Sequence, residues 1–311
     1  MTKIILVLVL VLFVSGMFAF TSSIHPVDAI GTITIKADGS VDPPTAPISR
    51  DGNVYTLTAD ISSDGMYGIT IERDNVILDG ADHTLSATGS AGIDLVDRGN
   101  VTIKNVIIKK LYGTFIQLSR SSNNSIICNN MTGDMTSGII LYESSNNSIL
   151  GNKIAHSNSA IYIGYSSNNN SVVDNTILSN EHGISLTYSS NNNKIYHNNF
   201  VNNWRHQAYI YNVTGATNVW DDGYPNGGNY WSDYQAIYPL ASEIDSSGIW
   251  NTPYTIYEGD IIDHYPLMKQ VIIPEFQSPI ILLLLMGATT VVIIAFGRHK
   301  MHSRNKLTQY S

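Results

Sequence analysis

"SSNNSILGNKIAHSNSAIYIGYSSNNNSVVDNTILSN", residues 144–180, is poor in charge, crowded with Ser and Asn, and evenly dotted with Ile, Val and Leu. The tetrad Ser-Ser-Asn-Asn begins at Ser121, Ser144, Ser166 and Ser189, in steps of 23, 22 and 23 residues. Aligned on Asn-x-Ile, the units pair Asn129 with Met131, Asn152 with Ile154, Asn175 with Ile177 and Asn198 with Phe200; Asn105 with Ile107 reads as an earlier copy. A second pattern interleaves, a small residue followed by apolar, any, apolar: Gly138-Ile139-Ile140-Leu141, Ala160-Ile161-Tyr162-Ile163, Gly183-Ile184-Ser185-Leu186. Alternation at period two marks short, half-buried strands rather than helix. A unit of this length, with short strands and Asn or Gly at its corners, is one coil of a parallel β-helix, in which each coil covers the apolar face of the last. Seven such coils, about 4.8 Å each, make a rod roughly 34 Å long. Asn105, Asn129, Asn152, Asn175 and Asn198 are expected to stack at one corner, because Asn tolerates the left-handed backbone and its amide bonds above and below.

Both ends of the chain are set apart from this rod. Lys3 followed by "IILVLVLVLFV" and then small residues is the layout of a secretory signal, with a cut readable after Ala19 or after Ala29. Pro279 to Phe296 is an apolar block followed by Arg298, Lys300, Arg304 and Lys306, long enough to span a bilayer with its basic flank inside. The expected organisation is a signal at 1–29, a linker at 30–52, the β-helix at 53–213, a C-terminal cap module at 214–270, a linker at 271–279, a transmembrane helix at 280–296 and a cytoplasmic tail at 297–311. The fold class is therefore all-β, a single-stranded parallel β-helix with that cap and that transmembrane helix. Residues 30–279 carry 24 acidic against 12 basic side chains, a net charge of −12, which argues against nucleic acid as a partner. Cys128 is the sole cysteine, so no intrachain disulfide can form and stability must come from a packed core.

The chain resembles NosD-like right-handed β-helix surface proteins of the carbohydrate-binding and sugar-hydrolysis type. The resemblance runs from about Asn53 to Lys269 and includes "NVILDGADHTL" at 75–85, similar to the family's entry coil. It also includes "NVWDDGYPNGGNYWSDY" at 218–234, similar to its C-terminal module, with "TPY" at 252–254 and "DHYPLM" at 263–268. The acidic, glycine-rich run usual between those blocks is reduced here to "QAIYPLASEIDSSGIW". What the resemblance implies is a glycan or the cell envelope as partner. A polysaccharide lyase or hydrolase is the alternative, and a copper-handling protein like the family's namesake is the second. The tail "IPEFQSPIILLLLMGATTVVIIAFGRHK" resembles the Pro-Glu-Phe sorting tails of archaeal surface proteins, which places Pro274, Glu275 and Phe276 at a processing signal; the other reading is a permanent single-pass anchor.

The residues that could carry chemistry are few. Coils 23 apart bring Ser159, His182 and Arg205 into one column, with Glu181 and Trp204 beside it, so Glu181, His182 and Arg205 are the catalytic candidates. They supply one carboxylate where glycoside hydrolysis needs two. Trp204 and Tyr162, on outward positions, are candidate sugar platforms, as are Trp220 and Trp231 in the C-terminal module. Tyr142, Tyr165, Tyr188 and Tyr211 are spaced by 23 and should stack; shared parity with Ile161 and Ile163, or Ile184 and Leu186, favours the core. No cofactor is required, and calcium is the one candidate, through Asp221, Asp222 and Asp233 with help from Asp245, Asp260 and Asp263. For copper, His156, His182, His197 and His206 form no compact ligand set. Asn130, Asn146 and Asn169 are candidate glycosylation sites.

Overall fold

The computed structural model describes residues 29–110, 112–212, 217–257 and 261–273. The expected signal, the transmembrane helix at 280–296, the basic tail, and Pro274, Glu275 and Phe276 lie outside the described residues, as does Asp260. Among the described residues no helix is long and apolar enough to cross a membrane.

The chain winds as a right-handed parallel β-solenoid of about seven turns with three walls. The front wall stacks Ile33–Ile35, Tyr67–Ile71, Ala91–Val96, Gly113–Ser119, the second halves of Asn130–Tyr142 and Lys153–Gly164, then His182–Thr187 and His206–Tyr211. Every pairing along it is parallel. The second wall contains Thr84–Ala87, Ile107–Lys110, the first halves of the two long strands, Thr176–Leu178 and Asn199–Val201. The third runs from Val54–Leu57 through Ile77–Asp79, Thr102–Lys104, Ser125–Ile127, Ser148–Leu150 and Ser171–Val173 to Lys194–Tyr196.

Each wall sends one side chain in two inward, and identical positions stack. Ile93, Ile116, Ile139, Ile161 and Ile184 form a fully buried column on the front wall, faced by Ile103, Ile126, Ile149, Val172 and Ile195 on the third. Each such side chain contributes about 2 kcal/mol relative to leaving it in water. With no disulfide present, these columns are the main source of stability.

The polar corners are ordered by hydrogen bonds as regular as the strands. The Asn152 backbone N–H and side-chain amide both donate to Asn175 Oδ1, at 2.9 and 3.0 Å, and Asn175 repeats this onto Asn198. The free amide hydrogens donate to carbonyls of the preceding coil, as Asn175 does to Ile149 O. Asn129, Asn152, Asn175 and Asn198 are all fully buried. Two details differ from the sequence expectation. The left-handed residue is the one before each ladder Asn (Cys128, Gly151, Asp174, His197), which turns the chain so that the Asn points inward. Asn105 occupies that left-handed position itself, with φ 53°, and Val106 stands where the ladder Asn would be.

The tetrad decodes in the same way. Asn123, Asn146, Asn169 and Asn192 take the left-handed turn, while Asn124, Asn147, Asn170 and Asn193 make a second buried amide ladder. Ser121, Ser144 and Ser167 form a third, each hydroxyl accepting the N–H of the coil before. In this register every step is 23, and the apparent 22 vanishes because Ser167, not Ser166, is the equivalent residue.

Both ends of the solenoid are covered. Residues 30–52 are not a linker: Ile33–Ile35 is the first rung of the front wall, and Ile48–Asp51 pairs antiparallel with Val54–Leu57. The reason is apolar surface, since Ile33 and Ile35 bury completely against the first coil. At the other end Trp231 stacks on Phe200 at 4.5 Å and on Tyr254 at 4.3 Å, both nearly parallel, while Trp250 stacks on Tyr234. Asn229, although outside the repeat, is the last rung of the ladder: it accepts both the N–H and the amide of Asn198. Its own N–H donates to Asp263, a fully buried carboxylate that also receives the Trp231 indole and the Tyr265 N–H.

Candidate functional site

The outer face of the front wall gathers most of the exposed aromatic chemistry. Tyr142, Tyr165 and Tyr188 stack with ring centroids 4.3 and 4.5 Å apart, and Tyr211 meets Tyr188 edge-on at 5.8 Å. They are exposed at 36, 38, 37 and 51%, which corrects the expectation that they belong to the core. Parity misled because Tyr165 and Tyr188 sit in the left-handed region, φ 55° and 47°, where the chain turns and strand alternation ends. Tyr162 lies beside the column, half-buried, with its hydroxyl receiving Thr187 Oγ1 at 2.8 Å. Gly164 makes room for it: a Cβ there would stand 2.6 Å from the Tyr162 ring. Burial pushes the Tyr162 phenol up, so it remains a neutral donor and acceptor.

The stripe continues sideways in the last coil. Tyr211 stacks over Tyr209 at 6.4 Å, and Tyr209 meets His206 at 5.4 Å and His182 at 5.0 Å. The two imidazoles are parallel, with their Nδ1 atoms 3.1 Å apart, so one carries the proton that the other accepts. Burial first, then the neighbouring His206, holds His182 below the usual histidine range and keeps it neutral.

Beyond His206 the wall opens into a cleft of about 570 Å³ between the last coil and the C-terminal segment. Trp204, Arg205, His206 and Gln207 line one side, and Ser232, Asp233, Tyr254 and Ile256 the other. Trp204 is 70% exposed, and Arg205 pairs with Glu181 at 2.8 Å. The Asp233 carboxylate receives the Tyr254 hydroxyl at 3.1 Å, and burial raises its pKa. The floor is a closed network, Asn203 Nδ2 to Gln207 Oε1 and Gln207 Nε2 to Ser232 Oγ.

Other candidates are dispersed or covered. The column partner of Ser159 and His182 is His206, not Arg205, because the last coil is one residue longer than its predecessors. Glu181, His182 and Arg205 do meet, but Glu181 neutralises Arg205 and no second carboxylate joins that column. Trp220 and Trp231 are each 1% exposed and belong to the interior, so neither can serve as a sugar platform. Asp221 accepts from the His264 N–H, Asp222 from Asn226, and Asp233 from Tyr254; the three do not form one calcium cage. Among the described residues no group of three His, Cys, Asp or Glu could hold a metal ion. Asn146 and Asn169 are exposed at left-handed corners, whereas Asn130 is half-buried in a strand. That strand borders a groove of about 800 Å³, where Asn199 grips the Val271 backbone through both its amide oxygen and its amide nitrogen.

Sequence reasoning passed over Asp94. It lies on the outer side of the front wall between Thr70 and Gln117, and the alternation of "AGIDLVD" alone puts it opposite Ile93 and Leu95. It is only 2% exposed, one oxygen has no protein partner, and burial pushes its pKa up to about 6.

Residues 40–236 match the family described as periplasmic copper-binding protein (NosD). The chain belongs to the NosD family. That description is of a periplasmic protein, in keeping with an exported β-helix. Its copper does not find a ligand set in this member's described residues, where His182 and His206 are paired but belong to no group of three His, Cys, Asp or Glu able to hold a metal ion. No curated protein matches this NosD-family chain. Among solved structures, that of the periplasmic alginate epimerase AlgG is similar, at a TM-score of 0.42 and 25% identity. The match covers 46% of this chain and 35% of the epimerase, about a third of that enzyme's length.

Proposed function

We propose that this protein is an exported, membrane-held β-solenoid whose tyrosine stripe binds a polysaccharide lying along the rod. The observation that carries the reading is the stripe itself, four exposed rings in contact through consecutive coils with centroids 4.3 to 5.8 Å apart. A folded chain gains nothing in its core from rings turned to water, and because the rings cover one another's faces, the stripe presents a continuous row of ring edges and phenol hydroxyls, suited to the C–H and hydroxyl groups of sugars. A coil rise of about 4.8 Å is close to the advance of one sugar unit along an extended glycan. The C-terminal segment acts as a lid on the last coil, and residues 280–296 hold the rod at the outer membrane face. The sorting tail at Pro274, Glu275 and Phe276 is the processed alternative.

Affinity electrophoresis of the full chain through gels cast with neutral and acidic polysaccharides tests the reading. The protein should be retarded in at least one gel, and Tyr165→Ala with Tyr188→Ala should abolish the retardation. Unchanged mobility of wild type in every gel would remove the proposal.

Catalysis is the second reading, favoured by Asp94, whose carboxyl is poised near the pH of general acid–base work. Its register neighbours Thr70 and Gln117 are not carboxylates, so it has no partner for hydrolysis in that column. Release of reducing ends from the retained polysaccharide, lost in Asp94→Asn, would favour it.

A further inference from the structure

The aromatic path does not stop at the edge of the solenoid. From Tyr211 it passes through Tyr209 to His206, and His206 is itself part of the cleft that holds Trp204, Arg205 and Asp233. Stripe and cleft meet in one strand, His206–Tyr211, so a chain lying on the first runs into the second. There the C-terminal segment rises as a wall, bearing Ser232, Asp233, Tyr254 and Ile256.

We infer that this cleft is a terminal subsite, built to receive the uncharged end residue of the polysaccharide that the stripe carries. This rests on the glycan reading above and adds the position and chemical class of the end unit. Four observations support it. The volume of about 570 Å³ lies within the range of small-ligand pockets, about 300–1,000 Å³. Trp204, at 70% exposure, offers a whole indole face with no packing role in the rod. Opposite it, the half-buried Asp233 carboxylate, which already accepts the Tyr254 hydroxyl, has lone pairs left for sugar hydroxyls. The one cation of the cleft, Arg205, is already matched by Glu181 at 2.8 Å, so a uronate carboxylate would meet Asp233 without a free counter-charge. The wall also explains why the subsite is terminal, since it bounds the cleft that the path from Tyr211 through Tyr209 and His206 reaches.

The four tryptophans make the test selective. Trp220, Trp231 and Trp250 are at most 7% exposed, so iodide quenching of the full chain reads Trp204 almost alone. The probes are neutral hexasaccharides of β-1,4-glucan, β-1,4-mannan and α-1,4-glucan, with a galacturonan hexasaccharide as the acidic comparison, in a detergent without sugar headgroups. At least one neutral hexasaccharide should protect the emission from iodide. Trp204→Ala, which removes the reporter, and Asp233→Asn should each weaken binding of that probe tenfold or more by calorimetry, while retardation in polysaccharide gels by the tyrosine stripe persists. Retardation that depends on Tyr165 and Tyr188, combined with wild-type hexasaccharide affinity in Trp204→Ala and Asp233→Asn, would overturn the subsite and leave the stripe standing. Tighter binding of the galacturonan than of any neutral probe would overturn the class of end residue. Absence of both retardation and protection would bring down stripe and subsite together.

Discussion

Two columns run through the same four coils of this rod at the same 23-residue spacing and meet opposite fates. The asparagines from Asn129 to Asn198 point inward, and both oxygen and nitrogen of each amide find partners in the coils above and below. The tyrosines from Tyr142 to Tyr211 point outward and touch chiefly each other, more than a third of each left to solvent. Translational repetition makes any side chain stack on its own kind. Which stack holds the fold and which one faces a partner depends on where hydrogen-bond demand is met. A buried amide without partners costs about 1–3 kcal/mol per stranded group, so the inner ladder must be complete. The outer ladder has water as a substitute and can be broken cheaply.

The largest effect should come from breaking the inner column. Asn175→Ala strands the Asn152 N–H and amide, together with the carbonyls of Ile149 and Val173, and should cost roughly 3–5 kcal/mol in urea melts. Asn229→Ala should cost about as much, because it too is a rung; a loss near zero there would detach the C-terminal segment from the ladder.

Next comes the end of that column, Asp263. Burial pushes its carboxyl up to about 7, above the ordinary value of 3.8. The folded state thus holds a proton that the unfolded chain releases, so the associated stability is full below about pH 4 and is lost as pH rises through 7. The shift corresponds to an upper bound of about 4 kcal/mol. Melting temperature should fall between pH 4 and 8, and Asp263→Asn should flatten the slope. Asp94, pushed up to about 6, adds to the lower part of the same window. A melting temperature that rises with pH across this range would refute the assignment.

The outer column should respond in the reverse manner. Tyr165→Ala with Tyr188→Ala is expected to change stability by less than about 1 kcal/mol, since both rings are exposed, while weakening polysaccharide binding tenfold or more. Equal losses of stability and binding would make the stripe a structural element after all. The smallest effect expected is that of Gly164→Ala, whose methyl collides with the Tyr162 ring and Thr187 Oγ1; it should tilt Tyr162 and shift affinity a few-fold with little change in melting.

Much of this was legible in the chain. The period, the wall positions and the inner asparagines follow from spacing, because a β-helix repeats its environment as strictly as its sequence. What escaped were departures from strict period. Asn105 is one residue out of the ladder, and the longer last coil replaces Arg205 by His206 in the column of His182. Trp220 and Trp231, read as surface platforms, were drawn inside because Phe200 at the open end of the last coil needs a cover.

The sequence by itself determined the solenoid, its wall residues and the stacking of like on like, since these depend only on alternation and a constant repeat. The tertiary structure alone decided which way the tyrosines face, that Asn229 and Asp263 close the ladder, and that Trp204 and Asp233 share a cleft. The physical reason is that direction is set at the corners, where a single left-handed residue overrides alternation. Closure at the end of the rod depends on contacts between segments more than thirty residues apart, which no local pattern encodes.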